Sequence, residues 1–303
     1  MAATSSSETI KAVFAIIVSV FALSLGDAVI KATSLSLPLW QMYILRSTLT
    51  LPPLLLIAIK RGKGAHPLRV SGWSVLRSLL LVVMWLSYYA SLPRVPLSLA
   101  AAAYYTSPIF ILMIAAILAH RLPSARACLA IACGFLGVML VIRPDASGFD
   151  FAALLPVLAA FLYACAMVLT SAKCRDDDPI VLALVLNVTF IVIGAGLGLF
   201  SGEEGAFLFG PWQAMDLSLI MTVAMLAGLI LIGSVGAAIA YQRGVPATVA
   251  AFDYSYLLFS TVWGVVWFGE RPGLFTYLGF ALIIGAGLLA IKRQKAKVTA
   301  LAE

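Results

Sequence analysis

The sequence predicts an all-α membrane protein: ten transmembrane helices forming two inverted five-helix halves, with both termini in the cytoplasm. Three observations carry that expectation. Hydrophobic residues make up 63% of the chain and charged residues only 11%, whereas a soluble domain is about 25% charged. The apolar residues fall in unbroken runs close to the roughly 20 residues that a helix needs to cross a bilayer. Residues 95–143 also recur without a gap at 245–293. Val95/Val245, Pro96/Pro246, Tyr104/Tyr254, Arg121/Arg271 and Arg143/Arg293 are identical pairs. Each copy opens on a proline, runs through apolar residues to a charged doublet (His120-Arg121, Glu270-Arg271), and runs again to a basic end. That is one helical hairpin used twice.

Taken in order, the predicted spans are 11–33, 38–59, 72–92, 96–119, 126–143, 151–172, 179–200, 216–239, 246–268 and 273–292. Pro38, Pro96, Pro179 and Pro246 stand at helix entries, where a missing N–H costs nothing. Residues 1–9 are short and polar with no cleavage pattern behind them, so no cleaved signal peptide is expected. Asp176, Asp177 and Asp178 precede Pro179 and are expected to cap the helix that follows. Trp40, Trp73 and Trp212 lie at span ends, where interfacial anchors belong.

Lys and Arg set the orientation. With the N-terminus inside, fifteen of them fall on the cytoplasmic side and three (Arg94, Arg143 and Arg271) outside. The positive-inside rule therefore puts both termini in the cytoplasm, in a cell inner (plasma) membrane. It also accounts for the net charge of +7 without nucleic acid. Each half, 1–145 and 150–303, holds five spans, so the second must enter the membrane from the opposite face. Inverted halves of this kind are the architecture of secondary transporters that work by alternating access.

An ionisable group inside a span costs several kcal/mol and needs a reason. Asp27 and Arg46 lie about 9 and 12 Å inside the outer ends of the first two spans, by helical rise. They are expected either to pair and lock those helices, or to contact substrate or carry a coupling proton. Lys31 is spaced to pair with Asp27 or to snorkel outward. Asp253 lies about 10 Å inside the ninth span, where the first repeat has Ala103. It is a candidate for binding a cationic group or exchanging a proton, or else a buried acid satisfied by tyrosines or Arg243. Glu270 reads as a turn or cap residue between the ninth and tenth spans. Trp85, Tyr88 and Tyr89, with Tyr104 and its repeat match Tyr254, are candidates to wall a substrate pocket. Pro108, near the middle of the fourth span, is a candidate hinge.

The fourth and ninth spans, "SPIFILMIAAILAHRLP" and "FDYSYLLFSTVWGVVWFGERP", and the Gly-rich "GFLGVMLVIRP" and "GFALIIGAGLLAIKR" that follow them, resemble the drug/metabolite transporter superfamily and its EamA-type branch. The first repeat departs from the "FGERP" ending at Ala119-His120-Arg121. Asp27 with Lys31, Arg46, "LRSLLLVVMWLSYYASL" and "FDYSYLLF" are similar to the group that includes S-adenosylmethionine and riboflavin carriers. The resemblance implies secondary transport of a small organic metabolite, amino-acid-derived or nucleoside-like, such as S-adenosylmethionine. Other amino-acid and drug exporters of the superfamily are the alternative. A coupled proton or counter-substrate is an expected partner, and direction and oligomeric state stay open.

Other classes fit less well. A passive channel calls for a more continuous polar lining, and an intramembrane enzyme for a catalytic set at one depth. A scaffold needs neither Asp253 nor the inversion. No cofactor, metal or disulfide is expected: the four cysteines match no zinc spacing, and no Walker pattern occurs. Gly194, Gly196, Gly198, Gly233 and Gly236 read as small residues for close helix contact.

Overall fold

The computed structural model describes residues 6–34, 36–60, 70–118, 125–142, 150–174, 177–200, 202–203, 206–243 and 252–286. The His120-Arg121 doublet, Asp176, Pro246 and the basic ends at Arg143 and Arg293 lie outside them. The described residues form helices α1 (Ser6–Thr33), α2 (Leu39–Lys60), α3 (Gly72–Ser91), α4 (Leu97–Tyr104), α5 (Ser107–Leu118), α6 (Ala125–Ile142), α7 (Leu155–Lys173), α8 (Pro179–Gly198), α9 (Leu217–Arg243) and α10 (Ser255–Phe268). A further apolar helix, α11, runs Leu274–Ala286, and a 3₁₀ turn at Phe151–Leu154 leads into α7. Six segments are long and apolar enough to cross a membrane, the α4–α5 pair counting as one. Shorter apolar helices fall within the four remaining predicted spans.

Local chemistry explains the helix starts. Ser71 and Ser74 exchange side-chain bonds with each other's backbone N–H, a capping box that opens α3. The Asp178 carboxylate accepts from the Ile180 N–H at 2.8 Å, with Pro179 as the first residue of α8. Asp150 caps the 3₁₀ turn through the Ala152 N–H and also pairs with Arg94 at 2.9 Å.

The helices of the two halves interleave. α1 packs along α9 and against α10, α2 along α8, and α3 along α7 and α8. Small residues permit the approach. A Cβ on Gly194 would lie 2.9 Å from the Trp40 carbonyl oxygen, and one on Gly236 would lie 3.0 Å from that of Ala15. Gly198 and Gly233 are similarly crowded, whereas Gly196 faces open space and serves no such contact. In α4, Ala100, Ala101, Ala102 and Ala103 are completely buried. Trp40 is no interfacial anchor: it is buried, donates from Nε1 to the Gly210 carbonyl at 2.8 Å and packs on Trp212. Gln41 and Gln213 exchange two amide hydrogen bonds nearby, pinning the connection before α9 to the start of α2.

One junction ties three helices together. α10 ends on Gly269, whose φ of 62° is left-handed, and the Glu270 N–H returns to the Gly264 carbonyl at 3.0 Å. This turn throws the Glu270 side chain back across Gly264, where a Cβ would collide with the carboxylate. Glu270 is thus a turn residue whose backbone closes α10, as expected, but its side chain does not cap its own hairpin. Its carboxylate accepts from the Leu97 N–H at 2.5 Å and from the Ser98 hydroxyl at 2.9 Å, and so caps α4 from a distant part of the chain. Lys31, at the end of α1, closes the group. Its ammonium lies 3.3 Å from the Glu270 carboxylate and 2.5 Å from the Val95 carbonyl. It therefore serves neither Asp27 nor the interface.

Both partners of this ion pair are largely buried, at 13% and 9% side-chain exposure. Removing one strands the other, a loss of about 3–5 kcal/mol. Glu270→Ala should lower the unfolding temperature in detergent sharply. Lys31→Met added to it should recover part of the loss. Strictly additive losses in the double-mutant cycle would show that the two groups are not coupled.

Candidate functional site

The fourth span is not one continuous helix. It breaks at Tyr105 and Thr106, between α4 and α5. Pro108, the second residue of α5, has no N–H to return to the Tyr104 carbonyl, so the chain cannot wind smoothly through this point. The ninth span breaks too, at Tyr254 between the helical residues Phe252-Asp253 and α10. Tyr104 and Tyr254, partners in the sequence repeat, thus sit at the two interruptions.

Between the breaks lies a cavity of about 560 Å³, within the range of roughly 300–1,000 Å³ usual for small-molecule sites. α1 supplies Ser19 and Asp27, α3 supplies Trp85 and Tyr88, and α7 supplies Tyr163 and Met167. The broken spans supply Tyr104, Tyr105, Ser107, Asp253, Tyr254 and Tyr256. The rings run as a connected wall. Tyr88 and Tyr163 flank Tyr104 at 5.5 and 5.7 Å between centroids, and Tyr105 stacks on Tyr256 at 5.2 Å and 29°. Offset and edge contacts of this kind hold aromatic rings in fixed orientations.

The two carboxylates of the cavity differ. Asp27 is 4% exposed and accepts a hydrogen bond from the Tyr256 hydroxyl, which itself lies 3.2 Å from the Tyr88 hydroxyl. This bond joins α1 to α10. Asp253 is only partly buried, and no described side chain donates to its carboxylate or pairs with it. The Tyr105 hydroxyl donates instead to its backbone carbonyl at 3.3 Å. The neighbouring Tyr254 hydroxyl is buried without a partner among the described residues. At the second break, a carboxylate and a hydroxyl therefore stand without partners among the described residues.

Of the residues proposed from sequence, Asp253, Tyr104, Tyr254, Trp85, Tyr88 and Asp27 line the cavity. Tyr89 and Arg46 do not. Tyr89 stacks behind Trp85 at 5.0 Å and 27°, and Tyr43 stands behind Tyr89. Arg46 is 4% exposed, with its guanidinium 4.6 Å from the Phe190 ring centre and 5.6 Å from that of Tyr43. Asp27 and Arg46 form no salt bridge: the guanidinium lies against the Tyr43 and Phe190 rings, and the carboxylate accepts from Tyr256. Pro108 stands at the break, not at a kink within a continuous helix. Tyr105, which shares with Tyr104 the three- and four-residue spacing of a pocket-walling face, lines the cavity as well. Tyr163 and Tyr256 also line it and were not proposed from sequence, where each is a hydroxyl within an apolar span.

Residues 10–143 match the EamA-like transporter family. The chain is 31% identical over 210 residues to a riboflavin transporter of Rhizobium johnstonii, a match covering 69% of this chain and 66% of the relative. It is 26% identical to a riboflavin transporter of Brucella anthropi, covering 86% and 89%. Against the pseudopaline exporter CntI of Pseudomonas aeruginosa it is 25% identical, covering 91% and 93%. One solved crystal structure superposes with a TM-score of 0.62 at 20% identity, over 94% of this chain and 96% of the other, which speaks to the fold alone. With its family match, its transporter relatives and its apolar helices, the chain belongs to the EamA-type transporters of the drug/metabolite transporter superfamily.

Proposed function

We propose that this protein is a secondary transporter that carries a flavin-like solute, riboflavin foremost, through the membrane by alternating access. The carrying observation is the cavity between the two broken spans, walled by stacked rings and holding one carboxylate with no described partner. Interrupted helices at matching places in two halves are where transporters bind cargo, because irregular backbone at membrane depth is tolerated only where it lines a cavity. A tricyclic flavin ring suits faces such as Tyr105 and Tyr256. Its ring N–H and ribityl hydroxyls are donors of the kind that Asp253 lacks. The riboflavin transporters among the relatives support the same cargo.

The packing supports two inverted halves. Matching the first five spans to the second five turns the α1–α9 contact into the α7–α3 contact, and returns α2–α8 to itself. With the termini cytoplasmic, the Lys31–Glu270 junction falls toward the outer face and Asp253 toward the inner one. S-adenosylmethionine is the second reading. Its sulfonium would face the free Asp253 and its adenine would stack on the rings.

Purified protein in proteoliposomes should take up labelled riboflavin saturably, and faster when the vesicles are preloaded with unlabelled riboflavin. A hydrogen bond to a charged group contributes about 1.5–3 kcal/mol, so Asp253→Asn should weaken apparent affinity by about tenfold or more. Tyr104→Ala, which opens the ring wall, should also weaken it. Asp216→Asn, on an exposed helix start outside the cavity, should leave uptake unchanged. Uptake that does not saturate, or that ignores preloading, would sink the carrier mechanism. Asp253→Asn with wild-type affinity would remove the carboxylate from recognition.

A further inference from the structure

The chain is basic overall, with a net charge of +7, yet its cavity is acidic. Both described acids within the helix interiors, Asp27 and Asp253, line the cavity, and no Lys or Arg is among its described lining residues. The described cations at similar depth are engaged elsewhere. Lys31 is held by Glu270 and the Val95 carbonyl. Arg77 donates from Nε to the Thr170 hydroxyl at 2.8 Å. Arg46 lies against the rings of Tyr43 and Phe190, two aromatic layers behind Trp85. Among the described residues, the acids of the bundle interior thus line the cargo space, and the cations do not.

We propose that this separation is a charge filter: the cavity accepts neutral or cationic planar aromatics and rejects the same rings carrying an anionic group. A carboxylate or phosphate entering beside Asp253 would meet a like charge with no cation among the described lining residues to offset it, and low-dielectric walls strengthen that repulsion. Rejection of this kind needs no contact with the excluded group, only the absence of a partner for it. Both acids contribute to the repulsion, and Asp253 is assigned the direct contact with cargo because no described donor covers its carboxylate, whereas the Tyr256 hydroxyl occupies that of Asp27. For a flavin cargo the consequence is that riboflavin passes while its phosphate ester is left behind. The inference rests on reading this cavity as the cargo site.

The test is thermal stabilisation of the full-length protein in detergent by three ligands that share one ring: tryptamine (cation), indole-3-ethanol (neutral) and indole-3-acetate (anion). The cation and the neutral ligand should stabilise, and the anion should need at least about tenfold more ligand for the same shift. Asp253→Asn should narrow the gap between neutral and anion severalfold and weaken the cation, whereas Asp27→Asn should change the order less. Equal stabilisation by anion and neutral ligand in the wild-type protein overturns the filter, a result that requires no variant to fold. A gap unchanged in Asp253→Asn, or no stabilisation by any of the three, overturns it as well. Vesicle uptake of riboflavin and its phosphate ester separates the two readings. Riboflavin and its ester entering equally well defeats the filter and leaves the flavin carrier standing. The expected charge order without riboflavin uptake defeats the flavin assignment and leaves the filter.

Discussion

Hydrocarbon offers a backbone no hydrogen bonds, and most of this structure follows from that constraint. A chain in lipid stays helical unless something inside the protein receives the freed N–H and carbonyl groups. The interruptions at Tyr105-Thr106 and at Tyr254 are therefore informative in a way that a surface turn is not. Both face a shared cavity, and both are bordered by tyrosines whose hydroxyls supply polarity where the helix ceases to supply its own. The site is placed by the breaks more than by any single side chain.

The same constraint governs the charges. Each ionisable group within the bundle must find a partner or a polar space, and the helices satisfy this unequally. Glu270 is over-committed: it caps α4, holds Lys31 and forces a glycine at position 264. Arg46 is satisfied by ring faces, which suits a guanidinium that is less strongly hydrated than an ammonium. Asp27 is held by a tyrosine from the other half of the chain. Asp253 alone of these groups has no described partner, and it is the one that stands at a helix break on the wall of the cavity.

Much of the fold was legible because membrane spans are a local property. Hydropathy over some 20 residues decides whether a segment stays in lipid, and its neighbours hardly alter the outcome. Asp253 and the aromatic residues Trp85, Tyr88 and Tyr104 stood out by the same logic, since a polar or amphipathic side chain deep in a span requires an explanation wherever it points. The offset repeat directed attention to Tyr104 and Tyr254 together, and the structure places both at breaks.

The sequence by itself thus determined the apolar segments, the family resemblance and the short roster of buried charges, all of which depend on composition within one helix. Only the tertiary structure decided which of those charges meet. Lys31 has Asp27 one turn away and chooses Glu270, far along the chain; Asp27 passes over Arg46 for Tyr256. Tyr89 and Tyr88 are adjacent in sequence, yet one lines the cavity and the other stands behind it. Helix rotation and partner choice are set by how ten or so apolar cylinders fit against one another. In an environment as apolar as the helices themselves, close packing decides that fit, and hydropathy along the chain carries no record of it.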